Sequence, residues 1–286
     1  MYYYIVNPSA GNGRINKIQS KLQSLLRERK IEGEFIKSTG KGDASKIARM
    51  AVEKGYTTIV AVGGDGTVSE VVNGIINYPD IVLGILPIGS TNILANTLGI
   101  FSWTQAVNLL AQRRVKTINL GRVNDIYFIT SLEIGFEASL SKNKNNSFFS
   151  RNRNIKKILS YKLFSAEIKF DNGFSVNSDI FNLSVFNAKV SDNKKETFVN
   201  TGRLNILLVP SQSKYNLIKN IPKILKKSYD KMSYISKFKA KKINVNTCKT
   251  PQEVFADAEY IGITPVEIST SAKKLKVIVN KEKIFD

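Results

Sequence analysis

The segment from Thr58 to Ile76 constrains the fold of this chain more than any other. Thr58–Val62 is an apolar run rich in β-branched residues and reads as a buried strand. Gly63-Gly64-Asp65-Gly66-Thr67 follows at once, and Val68, Val71, Val72, Ile75 and Ile76 then recur at helical spacing. A strand therefore runs into a glycine-rich turn, and the turn opens a helix. Such a turn presents bare backbone N–H groups and a helix N-terminus, an arrangement suited to phosphate. It also puts one carboxylate, Asp65, where phosphates and a metal ion would sit.

The same grammar extends through the first 120 residues. Tyr2–Val6 is a strand ended by Asn7-Pro8, and Ile15, Ile18, Leu22, Leu25 and Leu26 mark a helix. Phe35-Ile36 is a short strand, and Ile47, Ala48, Ala51 and Val52 mark a second helix with Asp43 as its N-cap. Ile81–Leu86 is a strand ended by Pro87, followed by helices from about Thr91 and across Thr104–Leu110. Strands alternating with helices predict a parallel sheet covered on both faces, with ligands at the carboxyl ends of its strands.

From about Gly121 the texture changes to short β-rich runs. These are Tyr127–Ser131, Ala166–Phe170, Asn182–Phe186, Leu204–Val209, Lys242–Val245, Glu253–Phe255, Val266–Ile268 and Leu275–Val279. Helical patterns interrupt them around Ile155–Leu163 and Leu217–Met232, and the polar stretches Ser141–Asn154 and Lys189–Asn200 read as long loops. The expected organisation is an α/β nucleotide-binding domain over residues 1–120 and a mostly antiparallel β-sandwich domain over residues 121–286, its last residues packing back on the first.

Composition narrows the chemistry. Lys+Arg number 43 against 23 Asp+Glu, a net charge of +20, which draws a chain toward phosphate-rich partners or reflects a lysine-rich composition with no such meaning. The one cysteine, Cys248, allows no internal disulfide and fits a reducing compartment. The N-terminus lacks the basic region of a signal peptide, and no apolar run approaches membrane-spanning length, so membrane contact is expected to be peripheral. The chain has no histidine, which leaves a carboxylate as the best candidate for a general base, ahead of a lysine.

Three other turns share the character of Gly63–Thr67: Asn7–Arg14, Ser38–Ala44 and Pro87–Asn92. Singly, each could be only a tight turn; together they set hydroxyls and N–H groups along one sheet edge, as a triphosphate requires. None is a P-loop or a dinucleotide Gly-x-Gly-x-x-Gly turn. Asn-Pro-x-x-Gly, Gly-Asp-Ala, Gly-Gly-Asp-Gly-Thr-x-x-Glu-Val-Val-Asn-Gly and Pro-x-Gly-Ser-x-Asn, in that order, resemble the diacylglycerol kinase catalytic-domain family, which includes sphingosine, ceramide and bacterial lipid kinases. Asp257-Ala258-Glu259 is similar to the late Asp-Gly-Glu of that family, with alanine for glycine, and Asn216–Lys242 to its basic helical segment. Asn92-Ile93-Leu94-Ala95 is nearer the sphingosine kinase branch, and Thr201 stands where some members have the aspartate of a second Mg²⁺ loop.

The resemblance implies an ATP- and Mg²⁺-dependent lipid kinase of diacylglycerol-like or sphingoid-like substrates. It implies that Asn7, Ser9, Ala10, Gly11, Thr39, Gly63, Gly64, Asp65, Gly66, Thr67, Glu70, Ser90, Thr91 and Asn92 bind the nucleotide. Asp65 would act on the Mg²⁺-triphosphate, with Asp257 and Glu259 as further catalytic residues and Glu259 as the base. The expected setting is cytoplasmic, peripheral at the inner face of an anionic membrane, as a possible homodimer with no nucleic-acid partner. Phe148–Leu159 and Ile221–Lys227 mix apolar residues with cations and read either as membrane-docking helices or as solvated faces. NAD kinase, which shares Gly-Gly-Asp-Gly, and a non-catalytic nucleotide- or lipid-binding module are the alternatives.

Overall fold

The computed structural model describes residues 1–90, 92–141, 158–187, 189–190, 196–197, 202–225, 232 and 234–280. Two units divide the chain: Met1–Leu120 with Lys195–Asn200 and Ser271–Asp286, and Gly121–Lys194 with Thr201–Thr270. The chain leaves the first unit within β5 (Val115–Val123) and returns to it within β17 (Val266–Ile278).

The first unit runs β1 (Tyr2–Val6), α1 (Arg14–Glu28), β2 (Gly33–Lys37), α2 (Asp43–Glu53), β3 (Thr58–Gly63), α3 (Asp65–Ile75), β4 (Val82–Pro87), α4 (Ile93–Thr97) and α5 (Trp103–Gln112). Its strands lie in the order β17-β4-β3-β1-β2, and every neighbouring pair is parallel. All six residues of β3 are buried, as expected of a parallel strand covered on both faces. The helices supply the cover through single apolar stripes: Ile15, Leu22 and Leu26 of α1, and Ala44, Ile47, Ala48 and Ala51 of α2. Parallel register sets Val6 beside Val62 and Gly63 beside Pro87, so the turns after β1, β3 and β4 leave the sheet side by side.

The N-cap of α2 differs from the sequence reading. Gly42 holds that position with φ of 81°, and Asp43 begins the helix. The Asp43 carboxylate turns back to accept Thr39 N–H at 2.8 Å and Thr39 Oγ1 at 3.1 Å. The amides at the start of α2 find another acceptor, Glu70 of α3.

The second unit adds β6 (Ile126–Phe128), β7 (Ser131–Gly135), α6 (Phe136–Ser141), β8 (Phe164–Phe170), β9 (Ser175–Phe186) and β10 (Lys189–Val190). After β11 (Glu196–Thr197), which falls in the first unit, come β12 (Leu204–Pro210), α7 (Lys214–Leu225), β13 (Ser236–Ala240), β14 (Lys242–Thr247), β15 (Glu253–Ala256) and β16 (Glu259–Ile263). Its strands run β16-β15-β7-β9-β8-β14-β17, with β12 also on β9 and β13 on β12, and each of these pairs is antiparallel. The first half of the long strand β9 pairs with β8 and the second half with β7, so two arms share one strand. Side chains from both arms, among them Leu132, Ile134, Ile168, Leu183, Val185, Ile206, Ile243 and Ile268, close around one core. A separate apolar cluster of Phe136, Ile158, Phe181, Val209, Leu217 and Met232 involves α6 and α7.

The run Tyr127–Ser131, read as one strand, is two. It is interrupted at Ile129 and Thr130, whose amides turn to a carboxylate far along the chain instead of continuing the ladder. Most of Phe148–Leu159, the end of Ile221–Lys227, most of the two polar stretches and Thr201 lie outside the described residues. Among the described residues, no helix is long and apolar enough to cross a membrane.

Candidate active site

In the first unit three turns are stitched into one floor. Asn7 N–H donates to Val62 O at 3.0 Å, and Asn7 Nδ2 donates to Thr67 Oγ1 at 3.0 Å, joining the turn after β1 to the start of α3. Asn7 Oδ1 accepts Ser9 N–H at 3.0 Å, which shapes the turn itself. From the other side, Ile88 N–H and Gly89 N–H both reach Gly63 O, at 3.0 and 3.3 Å. Asp65 Oδ1 accepts Leu94 N–H at 3.1 Å, fixing that carboxylate to the first turn of α4.

Glycine lets these turns come so close. A Cβ on Gly89 would lie 2.5 Å from Gly64 Cα, and one on Gly11 would lie 2.1 Å from Ile88 O. The glycines therefore serve backbone-on-backbone approach, which no side chain permits. Asn92, in the left-handed region with φ of 49°, donates from Nδ2 to Gly89 O at 2.8 Å. Among the described residues, its buried Oδ1 has no hydrogen-bond partner.

Half of the fourteen residues expected to bind nucleotide thus meet on this floor: Asn7, Gly11, Gly63, Gly64, Asp65, Thr67 and Asn92. Ser9 and Ser90 are exposed in the adjoining turns; Ala10 and Gly66 are partly exposed. Thr91 lies outside the described residues. Thr39 is exposed and held by Asp43. Glu70 is placed differently: its two oxygens accept Gly42 N–H at 2.8 Å and Ala44 N–H at 3.2 Å. It caps α2 from α3 and so sets the turn that carries Thr39.

In the second unit, Asp257 lies within the hairpin turn between β15 and β16, and Glu259 follows the turn. Ala256 pairs with Glu259, and the two residues between them, Asp257 and Ala258, have φ of 48° and 64°. Positive φ at both central positions suits a two-residue hairpin, yet neither residue is glycine. Asp257 is buried, and its carboxylate accepts Ile129 N–H at 2.8 Å, Thr130 N–H at 2.8 Å, Thr130 Oγ1 at 2.5 Å and Ser131 N–H at 3.3 Å. Asp257 N–H donates in return to Ser131 O at 2.8 Å. Burial pushes this carboxyl above its ordinary range, against the pull of its donors from Thr130, Ile129 and Ser131.

Asp257 is thus spent on the backbone of residues 129–131 and the Thr130 hydroxyl, while Glu259 stands at the partly exposed start of β16. Thr130 escaped the sequence reading because no local pattern marks a residue 127 positions from its partner. Among the described residues, no three His, Cys, Asp or Glu side chains are grouped to hold a metal ion. Among the described residues of the floor, Asp65 offers a carboxylate, which fits a metal that arrives with phosphates as its other ligands.

A parallel sheet with glycine turns at its strand ends, continued by an antiparallel β unit, is a fold shared by diacylglycerol kinases and NAD kinases. Residues 1–123 match the model of the diacylglycerol kinase catalytic domain. A diacylglycerol kinase of Bacillus subtilis (strain 168) is 25% identical over 98% of this chain and 96% of its own. The crystal structure of a diacylglycerol kinase from Bacillus anthracis str. Sterne superposes with a TM-score of 0.74 at 23% identity, covering 99% of this chain and 98% of that one. An NAD kinase from Archaeoglobus fulgidus in complex with ATP gives a TM-score of 0.57 at 14% identity, over 99% of this chain and 96% of that one, a likeness of fold alone.

Proposed function

We propose that this protein is an ATP- and Mg²⁺-dependent kinase that transfers the γ-phosphoryl group to the hydroxyl of a membrane lipid. The observation that carries the reading is the floor of three turns locked together by Asn7, Gly63 and Asp65, a surface made of backbone and short polar groups. Phosphoryl transfer asks little covalent chemistry of a protein and much positioning. On this reading the turns hold the nucleotide, and Thr39 and Ser90 add hydroxyls at its margin. Asp65 would hold Mg²⁺ together with the phosphate oxygens; the ion, when bound, neutralises charge on the triphosphate.

The lipid oxygen attacks the γ-phosphorus, the bond to the β,γ-bridging oxygen breaks, and ADP leaves. Glu259 accepts the proton from the hydroxyl. Asp257, with its oxygens committed to residues 129–131, has a positioning part and no direct one. The net charge of +20 supports peripheral attraction to an anionic cytoplasmic membrane face.

The test uses radiolabelled ATP with a total lipid extract. Label in the organic phase supports a lipid kinase, label on NAD supports the NAD kinase reading, and no label leaves a binding module. Glu259→Gln should lower turnover by about 100-fold or more, the scale of general base catalysis, while ATP affinity measured by calorimetry stays within about threefold. Loss of ATP affinity instead would make Glu259 a nucleotide ligand.

A further inference from the structure

The turn that presents Glu259 is not self-supporting. Left-handed backbone is strained for an ordinary L-residue, and here it occurs twice in succession, at Asp257 and Ala258. What holds it is segment 129–131, through the donors to the Asp257 carboxylate and the return bond from Asp257 N–H to Ser131 O. That segment is gripped from behind by Asn187. Its N–H donates to Thr130 O at 3.0 Å, and its Nδ2 donates to Ile129 O at 3.1 Å. Thr130, Asn187 and Asp257 are 4%, 7% and 8% exposed, so water does not compete for these bonds. Thr130 alone binds the carboxylate with both backbone and side chain.

We propose that Thr130 is a positioning residue for the kinase reaction: through Asp257 it clamps the 257–258 turn and so aims the carboxylate of Glu259. This rests on the reading of Glu259 as the base. Asn187 supports the same clamp one layer back. Residues 129 and 130 leave the β ladder because their amides serve this carboxylate, which gives the break between β6 and β7 a purpose.

The clamp predicts a dependence on turn strain that a packing role would not show. Thr130→Val keeps the shape of the side chain and removes only the hydroxyl. It should lower kcat about tenfold or more, since displaced reacting groups lose rate steeply, with KM for ATP changed less than about twofold. Thr130→Ser, which keeps the hydroxyl, should retain the wild-type rate. Ala258→Gly removes a left-handed alanine, so the turn holds itself better; in the Thr130→Val background it should recover much of the lost kcat, a non-additive effect that a double-mutant cycle reads. Hydrogen exchange of peptides covering 255–261 should speed up in Thr130→Val and slow again in the double variant. Two results overturn the clamp alone while wild type phosphorylates lipid. One is an unimpaired Thr130→Val; the other is a kcat loss in Thr130→Val that Thr130→Ser shares and that Ala258→Gly does not relieve. A wild type that labels no lipid overturns the kinase reading and this inference with it.

Discussion

Gly89→Ala is the sharpest probe of the stitched turns. The added Cβ would lie 2.5 Å from Gly64 Cα, 2.8 Å from Asn92 Oδ1 and 3.2 Å from Gly64 N. Non-bonded carbons rest about 3.5–4.0 Å apart, so the two turns must separate by about 1 Å. No flexible side-chain end relieves the main clash, because its nearest atom is backbone. Gly64 is held by the bond from Val68 N–H to its carbonyl at 3.1 Å, and Gly89 N–H by Gly63 O at 3.3 Å. Overpacking of this kind costs about 1–3 kcal/mol of stability. A displacement of about 1 Å at a reacting centre costs about 100-fold in rate. Gly40→Ala is the matched control: it lies in a neighbouring turn, and its Cβ would meet nothing within 4 Å. Turnover on lipid, ATP affinity by calorimetry and the thermal midpoint should all fall in Gly89→Ala and stay near wild type in Gly40→Ala. Undiminished turnover and ATP affinity in Gly89→Ala, or equal damage from both alanines, would refute the claim that close approach of the two turns makes the site.

Asp65→Asn should remove turnover with the thermal midpoint within a few degrees of wild type, because the amide oxygen can still accept Leu94 N–H; near-normal activity would end its assignment to the Mg²⁺-triphosphate. Glu70→Ala leaves the amides of Gly42 and Ala44 without their acceptor and should cost about 1–3 kcal/mol in denaturant unfolding; a neutral result would mean that water replaces the cap. Burial pushes the Tyr161 hydroxyl up to about 12 from 10.0. The unfolded chain therefore ionises it first, and its contribution to stability is full below pH 10 and lost as pH rises through the folded value. Tyr161→Phe should flatten part of the alkaline fall in melting temperature, and an unchanged slope would show that this hydroxyl is already solvated.

The parallel half of the fold was legible because its signals are local. An apolar run, a glycine turn and a helical stripe sit within twenty residues of each other, as in Thr58–Ile76. The antiparallel half was legible as a class, since short β-rich runs need no partner to be recognised. What escaped was whatever depends on partners distant in sequence. Glu70 sits on α3 three residues beyond Thr67 and reads as part of the phosphate turn, yet its oxygens cap a helix 26 to 28 residues earlier. Asp43 reads as an N-cap because acidic residues favour that position, but Gly42 supplies the left-handed backbone and Asp43 serves Thr39. Tyr127–Ser131 reads as one strand because its side chains suit one, and the break arises from Asp257, more than a hundred residues on.

The sheet of the first unit is also closed by a latecomer. β4 pairs with β3 on one side and, on the other, with Lys276 and Val277 of β17; Val279 N–H then reaches Arg114 O at 3.0 Å. During synthesis on the ribosome, β1 to β4 emerge long before that strand does. Until residue 277 leaves the exit tunnel, the apolar strand β4, buried throughout in the finished fold, has one bare edge. Bare apolar edges recruit other chains. The nascent protein is therefore most exposed to misassembly while the second unit is being made.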